Sequence, residues 1–225
     1  MKTIFATDFH IHHGQRPEVN AFCDMIEDCP PDLTVLGGDI ADRWQGTWKD
    51  ILECPAWKRM QSMANQLYHR GYPIMWIPYN HDYGAKPEYL PGAEMVDRVI
   101  IDGWMLCHGW EFSLDWGLGP VDNVAYWMAR NKPEWMIPFY HKFFKTPGQL
   151  VNYDARTYRE KWHWKIETGH SIARMKAQET NLNVAVGHFH TRILEPDFFA
   201  DAGHNVGSNS WLVIVDGKAA LGGTP

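Results

Sequence analysis

The stretch that decides the fold is residues 3–10, which read TIFATDFH. Its first five residues have the composition of a short buried strand, and Asp8 and His10 follow at once. Because these two residues are two positions apart, their side chains point to the same side of an extended segment. A carboxylate and an imidazole placed in this way can hold one divalent cation together. A solvated loop can have the same composition, so this pair alone does not decide the function.

Four later segments repeat this arrangement of ligand side chains after an apolar run. In an α/β sheet, the loops that leave the carboxyl ends of the strands converge on one edge, where ligands bind. We therefore expect these side chains to meet there, in numbers that suit two cations. Two cations about 3.5–4 Å apart can clamp a phosphoryl group and turn a bound water into a hydroxide nucleophile. The four segments are Gly38-Asp39, Asn80-His81-Asp82, His108-Gly109 and Gly187-His188-Phe189-His190.

The chain alternates strands and helices from its beginning. After the first strand, Pro17 begins a helix whose apolar residues share one face, and Pro30-Pro31 ends it. Residues 33–36 form the next buried strand. The two strands and the helix therefore make a βαβ unit, which predicts parallel pairing with a right-handed crossover.

The middle and the end of the chain add further elements to this unit. Pro55 begins a second helix that ends at Gly71, and residues 74–77 form the third strand. Asp102-Gly103 and Asp216-Gly217 each separate two short apolar runs, which predicts hairpins with tight turns.

The composition is that of one globular domain over residues 1–225, with a helical cap insertion at about 112–182. The 12 Trp exceed what a core needs, and they indicate broad contacts in the cap or around a ligand. The net charge of −6 weakly disfavours non-specific nucleic-acid binding, which usually needs a basic face.

The cysteines and the hydropathy predict a cytoplasmic protein. The 4 Cys show no CxxC spacing, which favours reduced thiols. No apolar run approaches the roughly 20 residues that a membrane-spanning helix needs.

Taken in chain order, the five ligand-bearing segments resemble the five motifs of the calcineurin-like metallophosphoesterases. The resemblance spans residues 3–190. It implies an α/β fold that is a four-layer α/β/β/α double β-sandwich, with the terminal hairpin in the second sheet. It also implies two divalent cations, with manganese as the first expectation and iron or zinc as alternatives. The ligands that the resemblance implies are Asp8, His10, Asp39 and His190 for the first metal, and Asp39, Asn80, His108 and His188 for the second.

The same resemblance assigns roles next to the metals and shows two departures. His81 would meet the phosphate or protonate the leaving group, and Asp82 would orient it. Tyr79 stands where the family usually has Gly, and Phe189 stands where Thr is common. The segments around Asp39 and His108 look like the branch that contains the UDP-2,3-diacylglucosamine pyrophosphatases, although those enzymes often carry Arg at the position of His81.

The expected function is a dinuclear metal-dependent phosphohydrolase. It would cleave a phosphodiester, a phosphomonoester or a nucleotide-linked pyrophosphate of a small molecule by attack of a metal-bridging hydroxide. One alternative is a metal-dependent nuclease acting on DNA or RNA, which needs a cationic track near Arg43 and Arg192. Another is a non-catalytic binding module, although such proteins tend to lose metal ligands and this chain retains them.

Several side chains near the motifs have two interpretations. Arg43 and Arg192 would bind phosphate bidentately or form surface salt bridges. Trp110, Trp116 and Trp127 would line a substrate pocket or pack within the cap.

Overall fold

The structure is a computed structural model that describes residues 1–112, 155–206 and 209–224. Most of the expected cap, including Trp116 and Trp127, lies outside these ranges. The strands are β1 (Lys2–Ala6), β2 (Leu33–Leu36), β3 (Ile74–Trp76), β4 (Ala93–Met95), β5 (Val99–Ile101), β6 (Trp104–Leu106), β7 (Asn183–Val186), β8 (Arg192–Glu195), β9 (Phe199–Ala202), β10 (Asn209–Val215) and β11 (Lys218–Thr224). The α-helices are α1 (Pro17–Asp28), α2 (Trp48–Glu53), α3 (Pro55–His69) and α4 (Ala155–Thr180).

The first sheet has the strand order β11-β10-β1-β2-β3-β4. The strands β1, β2, β3 and β4 pair in parallel, with Phe5 of β1 opposite Val35 of β2. This pairing confirms the predicted parallel βαβ unit. One apolar face of α1 and of α3 packs against the outer face of this sheet, and Phe22 and Trp57 on these faces are fully buried. Both helices begin at a proline, as predicted.

The second sheet has the order β5-β6-β7-β9-β8, and β6, β7 and β9 are parallel. Phe5 and Leu212 of the first sheet share one buried cluster with Trp104 and Ala185 of the second, so the two sheets pack face to face. The outer face of the second sheet is covered by α4, through residues such as Ala173. These layers confirm the expected α/β/β/α sandwich.

The terminal hairpin of β10 and β11 corrects one expectation, because it lies in the first sheet and not in the second. Strand β10 pairs antiparallel with β1, with Ile4 opposite Val213. The side chains of β10 alternate, so that Leu212 and Ile214 are buried between the sheets. Strand β1 would otherwise be an edge strand with unpaired backbone groups, and the hairpin satisfies them.

Both predicted Asp-Gly turns have the backbone of a type I′ turn. Asp102 and Gly103 have φ values of 48° and 80°, and Asp216 and Gly217 have φ values of 49° and 81°. Positive φ at both central residues matches the right-handed twist of the flanking strands.

Three tryptophans, Trp57, Trp76 and Trp104, are completely buried, and the rings of Trp57 and Trp76 lie 5.8 Å apart. These three tryptophans fill the core, so part of the tryptophan content is used for core packing. None of the 4 cysteines forms a disulfide, and the cytoplasmic location stays a prediction. Over the described residues, no helix is both long enough and apolar enough to cross a membrane.

Candidate metal centre

The loops after β1, β2 and β3 carry the ligand side chains predicted for the first sheet. Backbone hydrogen bonds fix two of these loops to each other: Asp8 N donates to Gly38 O at 3.0 Å, and His10 N donates to Asp39 O at 2.9 Å. Asn80 begins a 3-10 turn directly after β3, and its side chain lies outside the described part of the structure.

The second sheet delivers three histidines to the same edge. His108 follows β6, and His188 and His190 follow β7. Gly187 N donates to His108 O at 2.9 Å, which ties the two loops together. His108 also joins the sheets, because its Nδ1 donates to Gly37 O at 3.0 Å. This bond leaves Nε2 of His108 as the ring atom available to a metal.

Three groups of side chains at this edge have the spacing of metal-binding clusters. Within each group, the ligand atoms all lie within 4.8 Å of one another. His10 and Asp39 each belong to two groups, so the three groups form one continuous site. The groups are Asp8 with His10 and His190, His10 with Asp39 and His81, and Asp39 with His108 and His188.

The polar atoms of this site fit a bound cation. Asp8 Oδ2 and both ring nitrogens of His10 are buried, and none of these atoms has a hydrogen-bond partner within the ranges that the structure describes. Such atoms are rarely left unsatisfied, because each costs about 1–3 kcal/mol. Carboxylate oxygens together with imidazole nitrogens suit manganese, iron and zinc.

The two aspartates are ionised although they are buried. Burial raises the pKa of Asp8 and of Asp39, but neighbouring histidines outweigh this effect. His190 lowers the pKa of Asp8, and His108 holds the pKa of Asp39 well below its usual range. Both carboxylates therefore carry the negative charge that a divalent cation requires.

The histidines of the second sheet have very different pKa values. Burial, reinforced by the neighbouring His108, lowers the pKa of His188 to about 3, so its ring is neutral. Burial also lowers the pKa of His108, but Asp39 outweighs it and raises the value to about 10. The Nε2 atom of His108 lies 3.2 Å from Asp39 Oδ2. A cation bound between these atoms would displace the proton of His108.

His81 is held by Asp42 and not by Asp82, which corrects the predicted role of Asp82. Asp42 Oδ1 accepts a hydrogen bond from His81 Nδ1 at 2.9 Å, while His81 N donates to Asp39 Oδ1 at 2.9 Å. Burial lowers the pKa of His81, but Asp39 and Asp42 outweigh it and raise the value to about 9. Nε2 of His81 faces the clusters, 4.0 Å from Asp39 Oδ2.

Asp82 has a different structural role, because the 3-10 turn directs its side chain toward the backbone of the loop after β2. Its carboxylate accepts from Ala41 N at 2.6 Å and from Ile40 N at 3.4 Å. Burial and the nearby charge of Asp39 raise the pKa of Asp82 to about 7. Asp82 therefore fixes the loop after β2, and that loop carries both Asp39 and Asp42.

Neither predicted phosphate-binding arginine is shown in that role. Arg43 is buried, donates to Gly46 O at 2.6 Å and lies over the ring of Tyr83. Arg192 donates to Gly222 O at 3.0 Å and Gly223 O at 3.2 Å. These contacts hold loops and the terminal strand, and phosphate binding by either residue stays a prediction.

Aromatic rings and one further histidine surround the clusters. The ring centroids of Tyr79 and His108 are 5.4 Å apart, and those of Trp110 and His188 are 5.1 Å apart. His204, to which sequence reasoning assigned no role, has its ring 5.4 Å from that of His190. It follows β9, which is parallel to β7 and ends at the same edge. Recognising β9 in the sequence would have revealed His204 as a neighbour of the site.

The clustered carboxylates and imidazoles at one edge of this two-sheet α/β sandwich are a donor set that suits a divalent metal ion. Residues 1–192 match the sequence family described as calcineurin-like phosphoesterase. The match covers well over half of the chain, and the chain belongs to this family. Its class is therefore that of metal-dependent phosphoesterases, which are hydrolases of phosphoester bonds. No curated protein matches the sequence.

Solved structures with a similar arrangement have little sequence in common with this chain. One is YfcE, a phosphoesterase from E. coli, with 14% identity, coverage of 96% of this chain and 88% of that chain, and a TM-score of 0.46. Another is wild-type Vps29 from Entamoeba histolytica complexed with zinc, with 12% identity, coverage of 100% and 98%, and a TM-score of 0.43.

Proposed function

We propose that this protein is a dinuclear phosphohydrolase that uses two divalent cations. The observation that carries the proposal is the continuity of the three clusters, in which His10 and Asp39 are each shared by two groups. A shared carboxylate is what two neighbouring cations need, because it offers one oxygen to each.

The proposed ligands divide between the two metals according to their position at the edge of the sandwich. Manganese is the proposed metal, and iron or zinc would suit the same donor set. When bound, the pair supplies positive charge to the phosphoryl oxygens and acidifies a water nucleophile. The ligands are Asp8, His10, Asp39 and His190 for the first cation, and Asp39, Asn80, His108 and His188 for the second.

His81 is the proposed contact to the substrate. Its Nδ1 is engaged by Asp42, which fixes the ring and directs Nε2 toward the clusters. From this position, Nε2 can donate a hydrogen bond to a phosphoryl oxygen or a proton to the leaving group. Asp42 stabilises the positive charge of the ring before the proton is transferred.

The proposed substrate is a small molecule with a phosphate ester or a nucleotide-linked pyrophosphate. A cavity of about 580 Å³ lies beside the site, because Tyr79 lines it and the Tyr79 ring centroid is 5.4 Å from that of His108. Its other lining residues include apolar side chains such as Phe112, the cations Arg98 and Lys176, and the acids Asp97, Glu111 and Glu179. The phosphoester itself is favoured by the family match, and the apolar part of the cavity wall would suit a substrate with a partly apolar body. Since Arg43 and Arg192 both donate to backbone carbonyls, no contact within the described ranges favours the nuclease alternative.

The test is hydrolysis in the presence of Mn²⁺, measured with a phosphomonoester, a phosphodiester and a nucleotide-linked pyrophosphate. We expect turnover of at least one of them. Loss of an outer-shell partner of a metal ligand costs about 10–100-fold, so Asp39→Asn is expected to cost at least as much in kcat/KM. The matched control is Asp28→Asn, the same chemical change at an exposed position. Absence of turnover with all three compounds, or equal rates for Asp39→Asn and Asp28→Asn, would contradict the proposal.

A further inference from the structure

A buried polar cluster lies directly behind the loop that carries His190. It consists of Asp201 on β9, His170 on α4 and Thr191, which follows His190 in the chain. All three are buried, and the side chains of His170 and Asp201 are completely inaccessible. Asp201 Oδ2 lies 3.1 Å from His170 Nε2 and accepts a short hydrogen bond from the hydroxyl of Thr191.

The other oxygen of Asp201 connects the cluster to the loop that carries Asp8. Asp201 Oδ1 accepts from Gly203 N at 3.0 Å. The carbonyl of the same Gly203 accepts from the hydroxyl of Thr7 at 3.1 Å. One carboxylate thus connects the residue after His190 with the residue before Asp8.

Asn205 strengthens the connection to β1. Its Nδ2 donates to Thr7 O at 2.9 Å, and its backbone N donates to Asp8 O at 3.1 Å. Asp8 and His190, the two residues that this network flanks, have left-handed φ values of 57° and 54°. Non-glycine residues keep such a conformation only where their surroundings determine it.

A carboxylate at this position has no advantage for packing. Asp201 lies between Ala200 and Ala202 in a strand whose 4 residues are all buried. An apolar side chain of similar size would avoid the cost of desolvating a buried carboxyl group, so this group is weak support for stability alone. The feature that the apolar side chain could not reproduce is the simultaneous bond to Thr191 and Gly203.

We infer that Asp201, supported by His170 and Thr191, is a positioning residue for the first metal. It sets the distance between the Asp8 and His190 side chains, whose Oδ1 and Nε2 atoms are 3.1 Å apart. This inference rests on the proposed function, because it presumes that Asp8 and His190 bind a metal. Outer-shell partners of this kind orient the ligands and tune metal affinity.

The test is a calorimetric titration of the full chain with Mn²⁺, accompanied by electron paramagnetic resonance spectra of the Mn²⁺ forms. The variants are Asp201→Asn and Thr191→Val. The matched control is Thr3→Val, since Thr3 is also buried and its hydroxyl has no hydrogen-bond partner within the described ranges. Thr191→Val keeps the shape of the side chain and removes one hydroxyl, so it remains informative if Asp201→Asn does not fold.

We expect Asp201→Asn to lower the affinity for one of the two Mn²⁺ ions about 10–100-fold and to leave the affinity for the other unchanged. At a free Mn²⁺ concentration that gives a coupled two-ion spectrum in the wild type, the variant is expected to give the spectrum of an isolated ion. Thr191→Val should also lower the Mn²⁺ affinity of that one site, whereas Thr3→Val should bind Mn²⁺ with the affinity of the wild type. A wild type that binds two ions, with Asp201→Asn and Thr191→Val titrations superimposable on it, would overturn this inference alone. A wild type that binds no Mn²⁺ would overturn the proposed function and this inference with it.

Discussion

Four of the proposed metal ligands, Asp8, His10, Asp39 and His190, have left-handed backbone conformations, with φ between 48° and 57°. Each such conformation costs about 1–3 kcal/mol in a non-glycine residue. Hydrogen bonds from Asp8 N and His10 N to the neighbouring loop hold two of them in place. Four of the eight left-handed non-glycine residues in the described ranges therefore lie where the ligand side chains converge.

This strain predicts that, at His190, the usual order of stability of an alanine variant and a glycine variant is reversed. In metal-free protein, His190→Gly is expected to be more stable than His190→Ala by about 1 kcal/mol, because glycine adopts a left-handed φ without steric cost. The control is His188, which lies outside the left-handed region. There, the Gly variant should be less stable than the Ala variant by about 0.5–1 kcal/mol. The free energy of unfolding in urea with a chelator measures both pairs, and the same order at both positions would refute the account of strain.

The contact between Asp42 and His81 predicts that the two residues act as a unit. If Asp42 works through the His81 ring, His81→Ala and the double variant Asp42→Asn/His81→Ala should have the same kcat. We expect Asp42→Asn alone to lower kcat about 10–100-fold. Independent, additive losses in the double variant would show that Asp42 has another role.

The loop after β7 predicts a steric effect at Gly187. A Cβ atom added there would collide with the side chains of Thr7 and Asp8. Gly187→Ala is therefore expected to displace Asp8 and to lower Mn²⁺ affinity by about tenfold or more. The matched control is Gly46→Ala, where the nearest atom, His12 O, would be 3.4 Å from the new Cβ. Calorimetric titration compares the two variants, and equal affinities would count against the observed approach of these loops.

The elements that the sequence predicted well are those with a local physical signal. Asp102-Gly103 can form a type I′ turn without regard to the rest of the chain, and Pro17 marks a helix start by its missing N–H. Strand β8 gave no such signal, because its 4 residues are all half-buried and do not alternate. Helix α2 does have a local signal in the sequence, the capping box formed by Thr47 and Asp50. The sequence analysis did not use this signal, and α2 was not predicted.

The candidate site shows the same division between local and long-range information. Asp8, Asp39 and His108 could be predicted because each follows an apolar run at a strand end. The partner of His81 could not, because Asp42 and Asp82 are both near it and only the direction of the 3-10 turn decides between them. The pairing of β10 with β1 also joins residues that are far apart in the chain, and the spacing of residues along the sequence does not indicate it.

At the scale of the whole molecule, the proposed metals would hold the two sheets together at one edge. Asp8 and Asp39 come from the first sheet, whereas His108, His188 and His190 come from the second. Since the ligands are brought together only in the folded chain, metal binding must favour the folded state.

Metal removal is therefore expected to lower the Tm. At a free concentration 100 times the dissociation constant, a ligand that binds only the folded state stabilises it by about 2.7 kcal/mol per site. Mn²⁺ should raise the Tm of the wild type and of Asp28→Asn, and a chelator should reverse the effect. Asp39→Asn should lose most of the increase. Scanning calorimetry measures the three proteins, and an unchanged wild-type Tm would contradict metal binding by the folded state.

The most direct test of the central claim is the anomalous diffraction of crystals grown with Mn²⁺. We predict two anomalous peaks about 3.5–4 Å apart, both in contact with Asp39. One peak should also lie beside Asp8 and His190, and the other beside His108 and His188. A single peak, or peaks remote from these residues, would contradict a dinuclear centre at this edge of the sandwich.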